Sequence, residues 1–285
     1  MKLLTGYVEG EPLLFRDLDQ NWLEITGALP QLAEIRDVGA LLRSGLKALE
    51  AARGLASGTV RHAHEFVLAP PVLSPSKIIC IGLNYARHAA ESGVSIPKRP
   101  IVFAKFPNTL VGAGAAVVKS RLTAKLDYEA ELAVVIGRRA HRVNQDRALD
   151  YVGGYMNAND ISARDLQAGD DASQWVFGKT LDTFCPTGPY LVTPDELPQW
   201  REIRIRAWVN DELRQDESCS DMIFGVEELI AYLSAGMTLE PGDIILTGTP
   251  SGVGMGFKPP RLLEQGDRVK VELSGLGALE SHIVT

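Results

Sequence analysis

Three carboxylates in the middle of the chain have the spacing expected of ligands for a hard cation. The β-branched run at 134–136 predicts a strand. Residues two apart on a strand share a face, so Glu129 and Glu131 are expected to lie side by side. A second apolar run, 151–158, leads into Asp160, and adjacent carboxylates repel each other unless a cation such as Mg²⁺ or Mn²⁺ neutralises them. A solvent-facing strand edge is the more common outcome for Glu-x-Glu, and both interpretations stay open on these residues alone.

A histidine and a glutamate three residues apart form a second candidate. Residues 85–92 are compatible with a helix, which would place His88 and Glu91 on one face. A carboxylate that holds an imidazole in one tautomer makes the histidine a candidate general base. An incidental contact on a surface helix is the more common outcome for such a pair. Gly82 and Gly93 flank the segment and would allow it to move as a lid.

Two further segments are candidates for stabilising negative charge. Lys179 follows an aromatic stretch that begins at Trp175, and a lysine buried in that context would stabilise an enolate or an oxyanion. An ordinary loop lysine is the alternative. Residues 244–252 predict a strand that runs into a glycine-rich turn, where backbone N–H groups and a hydroxyl can approach a small anion. A plain turn at the end of a strand is an equally good interpretation.

The composition of the chain excludes several classes of protein. Its 285 residues are enough for one large domain, or for a large and a small one. With 29 Lys and Arg against 36 Asp and Glu, the net charge of −7 argues against a nucleic-acid partner. No apolar run has transmembrane length and no signal-peptide pattern is present, so we expect a cytoplasmic protein without membrane contacts. The widely spaced Cys80, Cys185 and Cys219 are expected to be reduced and mostly buried.

The elements that must position the candidate residues are mostly strands. A helix is predicted at 226–233, where apolar residues recur at helical spacing. The predicted strands do not alternate regularly with helices, which argues against a TIM barrel or a doubly wound sheet. The predicted fold class is therefore a β-rich α+β structure. The predicted strands are 78–81, 101–105, 129–136, 151–158, 190–192, 203–209, 244–247 and 269–273.

A proline-rich segment divides the chain. Its prolines forbid regular structure and suit a semi-rigid connector. In the part before it, we expect a hairpin of residues 3–8 and 12–15, and one helix through residues 41–49. The predicted domains are a small N-terminal α+β domain at 1–69, a connector at 70–77 and a catalytic domain at 78–285.

Five motifs follow one another in the chain. They are Gly82-Leu83-Asn84-Tyr85 with His88 and Glu91, the run 127–131 with Val135-Ile136-Gly137, the run 159–167, Gly178-Lys179, and the run 246–250. In this order they resemble the fumarylacetoacetate hydrolase superfamily over residues 72–285. The small domain before the proline-rich connector is similar to that of bacterial two-domain members. The resemblance implies a mixed β-sheet roll as the catalytic domain, assembled as a homodimer.

The resemblance also implies a metal centre and a base. By motif match, Glu129, Glu131 and Asp160 would bind Mg²⁺ or Mn²⁺. His88 would be the base that activates water, with Glu91 as its partner.

The same resemblance implies how a substrate is held. Lys179 and Gln167 would contact the substrate's oxygens, and Thr249 its carboxylate end. Arg164 lies inside a matching motif and either faces the site or braces it. Animal fumarylacetoacetate hydrolase has a further metal-ligating aspartate shortly before its histidine, whereas residues 80–83 here contain no carboxylate. This departure favours the acylpyruvase-like and oxaloacetate-decarboxylase-like branch and argues against fumarylacetoacetate as the substrate.

The activity that the resemblance implies is metal-dependent cleavage of a carbon–carbon bond in a small acylpyruvate-type 2,4-dioxo acid. His88 and Glu91 would activate water for this hydrolysis. An oxaloacetate decarboxylase, or a 2-oxo acid isomerase or tautomerase in which His88 only moves a proton, would use the same metal–enolate site, so these alternatives stay open. Residues 256–260 also resemble members that act on 2,4-dioxo sugar acids. A non-catalytic protein with a structural cation is the alternative from a different class.

Overall fold

The N-terminal part of the chain forms an antiparallel meander. A computed structural model describes residues 1–18, 20–169, 173–197 and 199–285. Glu9 and Gly10 make the first turn with φ of 51° and 88°, as a tight hairpin requires, so the predicted hairpin is confirmed. The strands are β1 (Lys2–Val8), β2 (Glu11–Leu18), β3 (Asn21–Glu24), β4 (Val60–Arg61) and β5 (Val67–Leu68).

Two short helices replace the single helix predicted for residues 41–49. They are α1 (Val38–Arg43) and α2 (Leu46–Gly54). Asp37 caps α1 by accepting a hydrogen bond from the Ala40 N–H at 3.1 Å. Gly45 separates the helices with φ of 82°, a conformation that continues no right-handed helix, so the predicted continuity was wrong at this residue.

The rest of the chain contains most of the strands. The predicted helix at 226–233 is confirmed, and each predicted strand overlaps an observed one. The elements are β6 (Ile78–Gly82), α3 (Ala86–Glu91), β7 (Ile101–Lys105), β8 (Leu110–Val111), β9 (Ala116–Val118), β10 (Leu126–Asp127), β11 (Ala130–Ile136), β12 (Val152–Asn159), β13 (Ser162–Ala163), α4 (Arg164–Gln167), β14 (Cys185–Val192), β15 (Arg204–Val209), β16 (Glu212–Ser218), α5 (Val226–Gly236), β17 (Ile244–Leu246), β18 (Arg268–Leu273) and β19 (Ala278–Val284).

Short 3₁₀ helices connect several of these elements. They are Pro30–Leu32, Ala63–Glu65, Pro107–Thr109, Gln145–Tyr151, Phe177–Lys179, Pro194–Glu196, Trp200–Glu202, Cys219–Asp221 and Gly254–Gly256. None of the helices in the described residues is long and apolar enough to cross a membrane.

The strands form mixed sheets with few helices, as predicted for the fold class. The largest sheet has the order β4-β3-β2-β1-β14-β12-β11-β17-β6-β7, with β5 beside β1 and β8 beside β14. A second sheet has the order β16-β15-β18-β19-β9, and β10 pairs with β13. Most neighbours are antiparallel, whereas β17 runs parallel to β6, β19 to β9 and β14 to β8.

The central strand β11 is buried on both faces. Leu132, Val134 and Ile136 pack into the core shared with the second sheet, whereas Ala133 and Val135 pack into the core that includes α1 and α2. The two-residue period of the strand therefore assigns its side chains to two separate cores.

The meander at the start of the chain continues the sheet that contains β11. Leu3 of β1 lies opposite Leu191 of β14. Residues 70–77 contain neither helix nor strand. The proposed division into a domain at 1–69, a connector at 70–77 and a catalytic domain at 78–285 stays a prediction.

Candidate active site

The three predicted metal ligands meet at one end of β11 and β12. Glu129 directly precedes β11 and Glu131 is its second residue, while Asp160 directly follows β12. Register brings them together, because Glu131 lies opposite Ala158 and the Asp160 N–H donates to the Glu129 carbonyl at 2.9 Å. One oxygen from each carboxylate lies within 4.8 Å of the others, and all three residues are buried.

The electrostatics of this cluster fit a bound cation. Burial and the carboxylates of Asp160 and Glu129 raise the pKa of Glu131 well above its usual value. Burial also raises the pKa of Glu129, but Lys179 and Arg164 outweigh it and hold that pKa well below its usual value. Glu131 is therefore the carboxylate whose charge the protein compensates least. A buried set of acceptor-only oxygens with like charges in contact suits a divalent ion such as Mg²⁺ or Mn²⁺.

Two lysines contact the same carboxylate of the cluster. Lys179 ends a short 3₁₀ helix and donates from Nζ to Asp160 Oδ2 at 2.9 Å and to Glu129 Oε2 at 2.7 Å. Its side chain is buried, unlike that of an ordinary loop lysine. Lys105 donates from Nζ to Asp160 Oδ1 at 2.6 Å. Lys105 was not among the predicted site residues, because no local pattern distinguishes it from the other end residues of strands.

Arg164 both braces the cluster and lines the cavity. Its Nη1 lies 2.7 Å from Glu129 Oε1, and its Nε donates to Asp127 Oδ2 at 2.8 Å. Its Nη2 is buried and has no hydrogen-bond partner among the described residues. Gln167 accepts from Arg164 Nη1 at 3.0 Å through its amide oxygen, which leaves the amide N–H groups of Gln167 for another acceptor.

The predicted histidine–glutamate pair forms on α3. His88 Nδ1 lies 3.1 Å from Glu91 Oε2. The other carboxylate oxygen of Glu91 accepts from the Gly252 N–H at 2.9 Å, so Glu91 ties α3 to the turn after β17. A proton held on Nδ1 by Glu91 leaves Nε2 of His88 as an acceptor, which is the form required of a general base.

The hydroxyl of Thr249 makes hydrogen bonds to two protein groups. Its Oγ1 donates to the Ala130 carbonyl at 2.9 Å and accepts from Gln215 Nε2 at 2.8 Å. Gln215 also accepts from the Ala130 N–H at 3.0 Å, so this amide fastens the start of β11 to the turn. Sequence reasoning missed Gln215, which lies in β16 and far from the other site residues along the chain.

A cavity of about 550 Å³ opens over the cluster. Phe103 and Trp175 form an aromatic wall with ring centroids 5.7 Å apart in an edge-to-face arrangement. Gly82 lets the indole approach, because a Cβ at this position would lie 2.8 Å from Trp175. The cavity is lined by seven of the nine predicted site residues: His88, Glu91, Glu129, Arg164, Gln167, Lys179 and Thr249. Glu131 and Asp160 do not line it and are more buried than Glu129, at 1% and 0% exposed against 7%.

Comparisons with known proteins agree on one family. The model of the fumarylacetoacetate (FAA) hydrolase C-terminal family matches residues 77–284. Oxaloacetate tautomerase YisK of Bacillus subtilis is 50% identical over 224 residues, which are 77% of this chain and 73% of that protein. The mitochondrial oxaloacetate tautomerase FAHD2B of Bos taurus is 44% identical over 220 residues, 77% of this chain and 70% of that protein. The solved fumarylacetoacetate hydrolase from Exiguobacterium antarcticum superposes with a TM-score of 0.85 at 35% identity, covering 100% and 99% of the two chains.

Proposed function

Since the chain belongs to the fumarylacetoacetate hydrolase family, we propose that it is a divalent-metal-dependent enzyme of small 2-oxo acids, specifically an oxaloacetate tautomerase. The observation that carries this proposal is that the His88–Glu91 pair lines the same cavity as Glu129, which belongs to the buried carboxylate cluster. Two relatives that match about three quarters of the chain are named oxaloacetate tautomerases, which supports this substrate.

Glu129, Glu131 and Asp160 would hold the metal, as Mg²⁺ or Mn²⁺. The bound ion would polarise the 2-oxo acid end of the substrate as a Lewis acid. Lys179 stays protonated beside this centre, because the carboxylates of Asp160 and Glu129 outweigh its burial and raise its pKa. Two of its three N–H donors are engaged with these carboxylates, which leaves one for a substrate oxygen.

Tautomerisation requires one proton to leave carbon and one to reach oxygen. Nε2 of His88 would take a proton from C3 of the keto acid, while Glu91 holds the Nδ1 proton and stabilises the imidazolium that forms. Lys179 and the amide of Gln167 would stabilise the negative charge that develops on the C2 oxygen until the His88 imidazolium returns its proton to that oxygen. No water is consumed and no carbon–carbon bond breaks. The orphaned Nη2 of Arg164 would orient a substrate carboxylate.

The test is a comparison of two histidine variants with the wild-type protein. The EDTA-treated protein is supplied with Mg²⁺ or Mn²⁺, and the ultraviolet absorbance of enol-oxaloacetate is followed in both directions. His88→Ala is expected to lower the rate about 10²–10⁴-fold, as removal of a general base does. His282→Ala, an exposed histidine on the second sheet, is the matched control and should retain the wild-type rate. A wild-type rate in His88→Ala would remove the proposed base.

A hydrolase that cleaves the carbon–carbon bond of an acylpyruvate is the second candidate. The observation in its favour is the cavity of about 550 Å³, which leaves room for a water molecule and an acyl group beside a small 2-oxo acid. In this reaction His88 would deprotonate water, and the water oxygen would attack the distal carbonyl. Pyruvate released from acetylpyruvate or fumarylpyruvate would identify the hydrolase, and pyruvate with CO₂ from oxaloacetate would identify a decarboxylase. A 2,4-dioxo sugar acid belongs in the same panel.

The homodimer and the cytoplasmic location stay proposals. Light scattering on the purified protein at several concentrations would test the dimer, and cell fractionation would test the location.

A further inference from the structure

Lys105 is a buried ammonium that the proposed reaction does not use. It is the last residue of β7, and its side chain is 0% exposed. Besides the hydrogen bond to Asp160 Oδ1 at 2.6 Å, its Nζ donates to the carbonyl of Ile161 at 3.1 Å. Lys105 is not among the residues that line the cavity, so a substrate in the cavity would not contact it.

The two carboxylate oxygens of Asp160 accept hydrogen bonds from two different lysines. Oδ1 accepts from Lys105, and Oδ2 accepts from Lys179 at 2.9 Å. Lys179 lines the cavity and is available to a substrate, whereas Lys105 does not line it and donates to Asp160 and to the Ile161 carbonyl. Lys105 therefore holds Asp160 Oδ1 independently of the contacts that Lys179 makes with Oδ2.

The balance of charge around the cluster also depends on Lys105. Four neighbouring carboxyl groups share three cations, of which Lys105 is one. Removal of Lys105 would leave only two cations for the four carboxyl groups in a buried site, which is costly. The carboxylates are Asp127, Glu129, Glu131 and Asp160, and the cations are Lys105, Arg164 and Lys179.

We propose that Lys105 is a positioning residue of the metal centre, which orients Asp160 toward the cation and thereby sets the affinity for Mg²⁺ or Mn²⁺. This inference rests on the proposed function only in that it takes the carboxylate cluster as a metal centre. Loss of the Lys105 donor would leave Asp160 Oδ1 buried and unpaired, so the carboxylate would turn to recover a partner. A ligand that has turned away binds metal less tightly. If Lys105 acted only as a competing cation, its removal would instead tighten metal binding.

The experiment measures Mn²⁺ binding to the EDTA-treated full chain in the absence of substrate, by titration calorimetry and by the electron paramagnetic resonance spectrum of the bound ion. Lys105→Met is expected to weaken Mn²⁺ binding about 10–100-fold, the usual effect of losing an outer-sphere partner, and to change the spectrum. Lys77→Met is the matched control, because Lys77 also pairs with a buried carboxylate, Asp243 at 2.7 Å, but outside the cluster. This control should bind Mn²⁺ as the wild-type protein does.

A second variant tests the proposal in case Lys105→Met does not fold. Lys105→Gln has a side chain one bond shorter and uncharged, and it too is expected to weaken binding at least about tenfold. Wild-type or tighter Mn²⁺ binding in either folded variant would overturn the proposal. A wild-type protein that binds no Mn²⁺ would overturn it as well. If the wild-type protein binds Mn²⁺ but does not tautomerise oxaloacetate, the proposed activity is refuted. The Mn²⁺ titration of the Lys105 variants then still tests the role of Lys105.

Discussion

Two buried carboxylates at opposite ends of β17 show how differently one sheet can treat the same chemical group. Asp243 directly precedes β17 and is 0% exposed. Its Oδ1 accepts from the Lys77 N–H and the Ser76 hydroxyl, and its Oδ2 accepts from the Glu240 N–H and the Lys77 ammonium. Glu131 lies near the other end of this strand, where its Oε2 accepts from the Gly248 N–H at 2.7 Å.

The difference lies in the neighbouring charges. Asp243 is surrounded by donors that come from adjacent turns, so its negative charge is satisfied within the protein. Glu131 instead lies against Asp160 and Glu129, whose carboxylates repel it. The contrast between these two residues is that Asp243 has donors on both oxygens, whereas Glu131 is placed beside two like charges.

The most severe test of this comparison is Glu131→Gln. The amide keeps the shape of the side chain and removes one ligand charge, so metal-dependent turnover should fall about 10³-fold or more, since a Lewis-acid metal contributes several kcal/mol. The folded structure should survive, because the substitution also removes repulsion within the cluster. Steady-state rates at saturating Mn²⁺ and a thermal melt without metal measure the two effects. Full activity in this variant would mean that Glu131 is not a ligand.

The converse substitution, Asp243→Asn, should affect stability and leave the site intact. It removes the charge that pairs with Lys77 at the sheet end remote from the cluster. Breaking a fully buried pair costs about 3–5 kcal/mol, but Lys77 is 30% exposed, so the expected loss falls below that range, at about 1–3 kcal/mol. Urea unfolding gives the free energy, and Mn²⁺ titration gives the affinity. A loss of metal affinity equal to that of Glu131→Gln would contradict the comparison.

Added metal should stabilise the folded protein by binding near Glu131 at one end of β17, and not near Asp243 at the other end. An ion present at 100 times its dissociation constant adds about 2.7 kcal/mol to the free energy of unfolding when it binds the folded state alone. We expect a higher melting temperature on addition of Mn²⁺ to EDTA-treated wild-type protein and to Asp243→Asn. Glu131→Gln should show little or no rise at the same concentration, and an equal rise there would place the ion elsewhere.

An exposed ion pair provides the smallest expected effect. The guanidinium of Arg53 lowers the pKa of Asp195 to about 2, but both side chains are 48% exposed. Arg53→Ala should therefore cost at most about 1 kcal/mol. A depressed carboxyl pKa stabilises the fold above the unfolded pKa of about 3.9, and this contribution is lost as the pH falls toward 2. The difference between variant and wild-type stability should shrink over that pH range; a constant difference would mean that Arg53 acts through packing.

The carboxylate cluster was predictable because its geometry is local. Glu129 and Glu131 share a face through the period of a strand, and His88 and Glu91 meet through the period of a helix. Asp160 was predicted because it follows a second apolar run, and the structure shows that this strand pairs with β11.

The partners of the cluster were not predictable in the same way. Lys105 contacts Asp160 across 55 residues of chain, and Gln215 contacts the Ala130 N–H across 85. Contacts of this kind depend on strand order, which the periodicity of one segment does not specify. The break of the predicted helix at Gly45 has a local cause. The sequence does not reveal it, because glycine is compatible both with a helix and with the turn observed there.

The pairing of β1 with β14 has a consequence for synthesis of the chain on the ribosome. On the edge of β1 away from β2, β5 pairs with Gly6 and Tyr7, whereas Lys2 and Leu3 have no partner until Leu191 and Val192 of β14 are made, nearly two hundred residues later. At about 5–20 residues per second, this strand waits on the order of 10–40 s with only its local neighbours β2 and β5. An open strand edge invites pairing with other chains, so the nascent chain is most exposed to aggregation before β14 emerges.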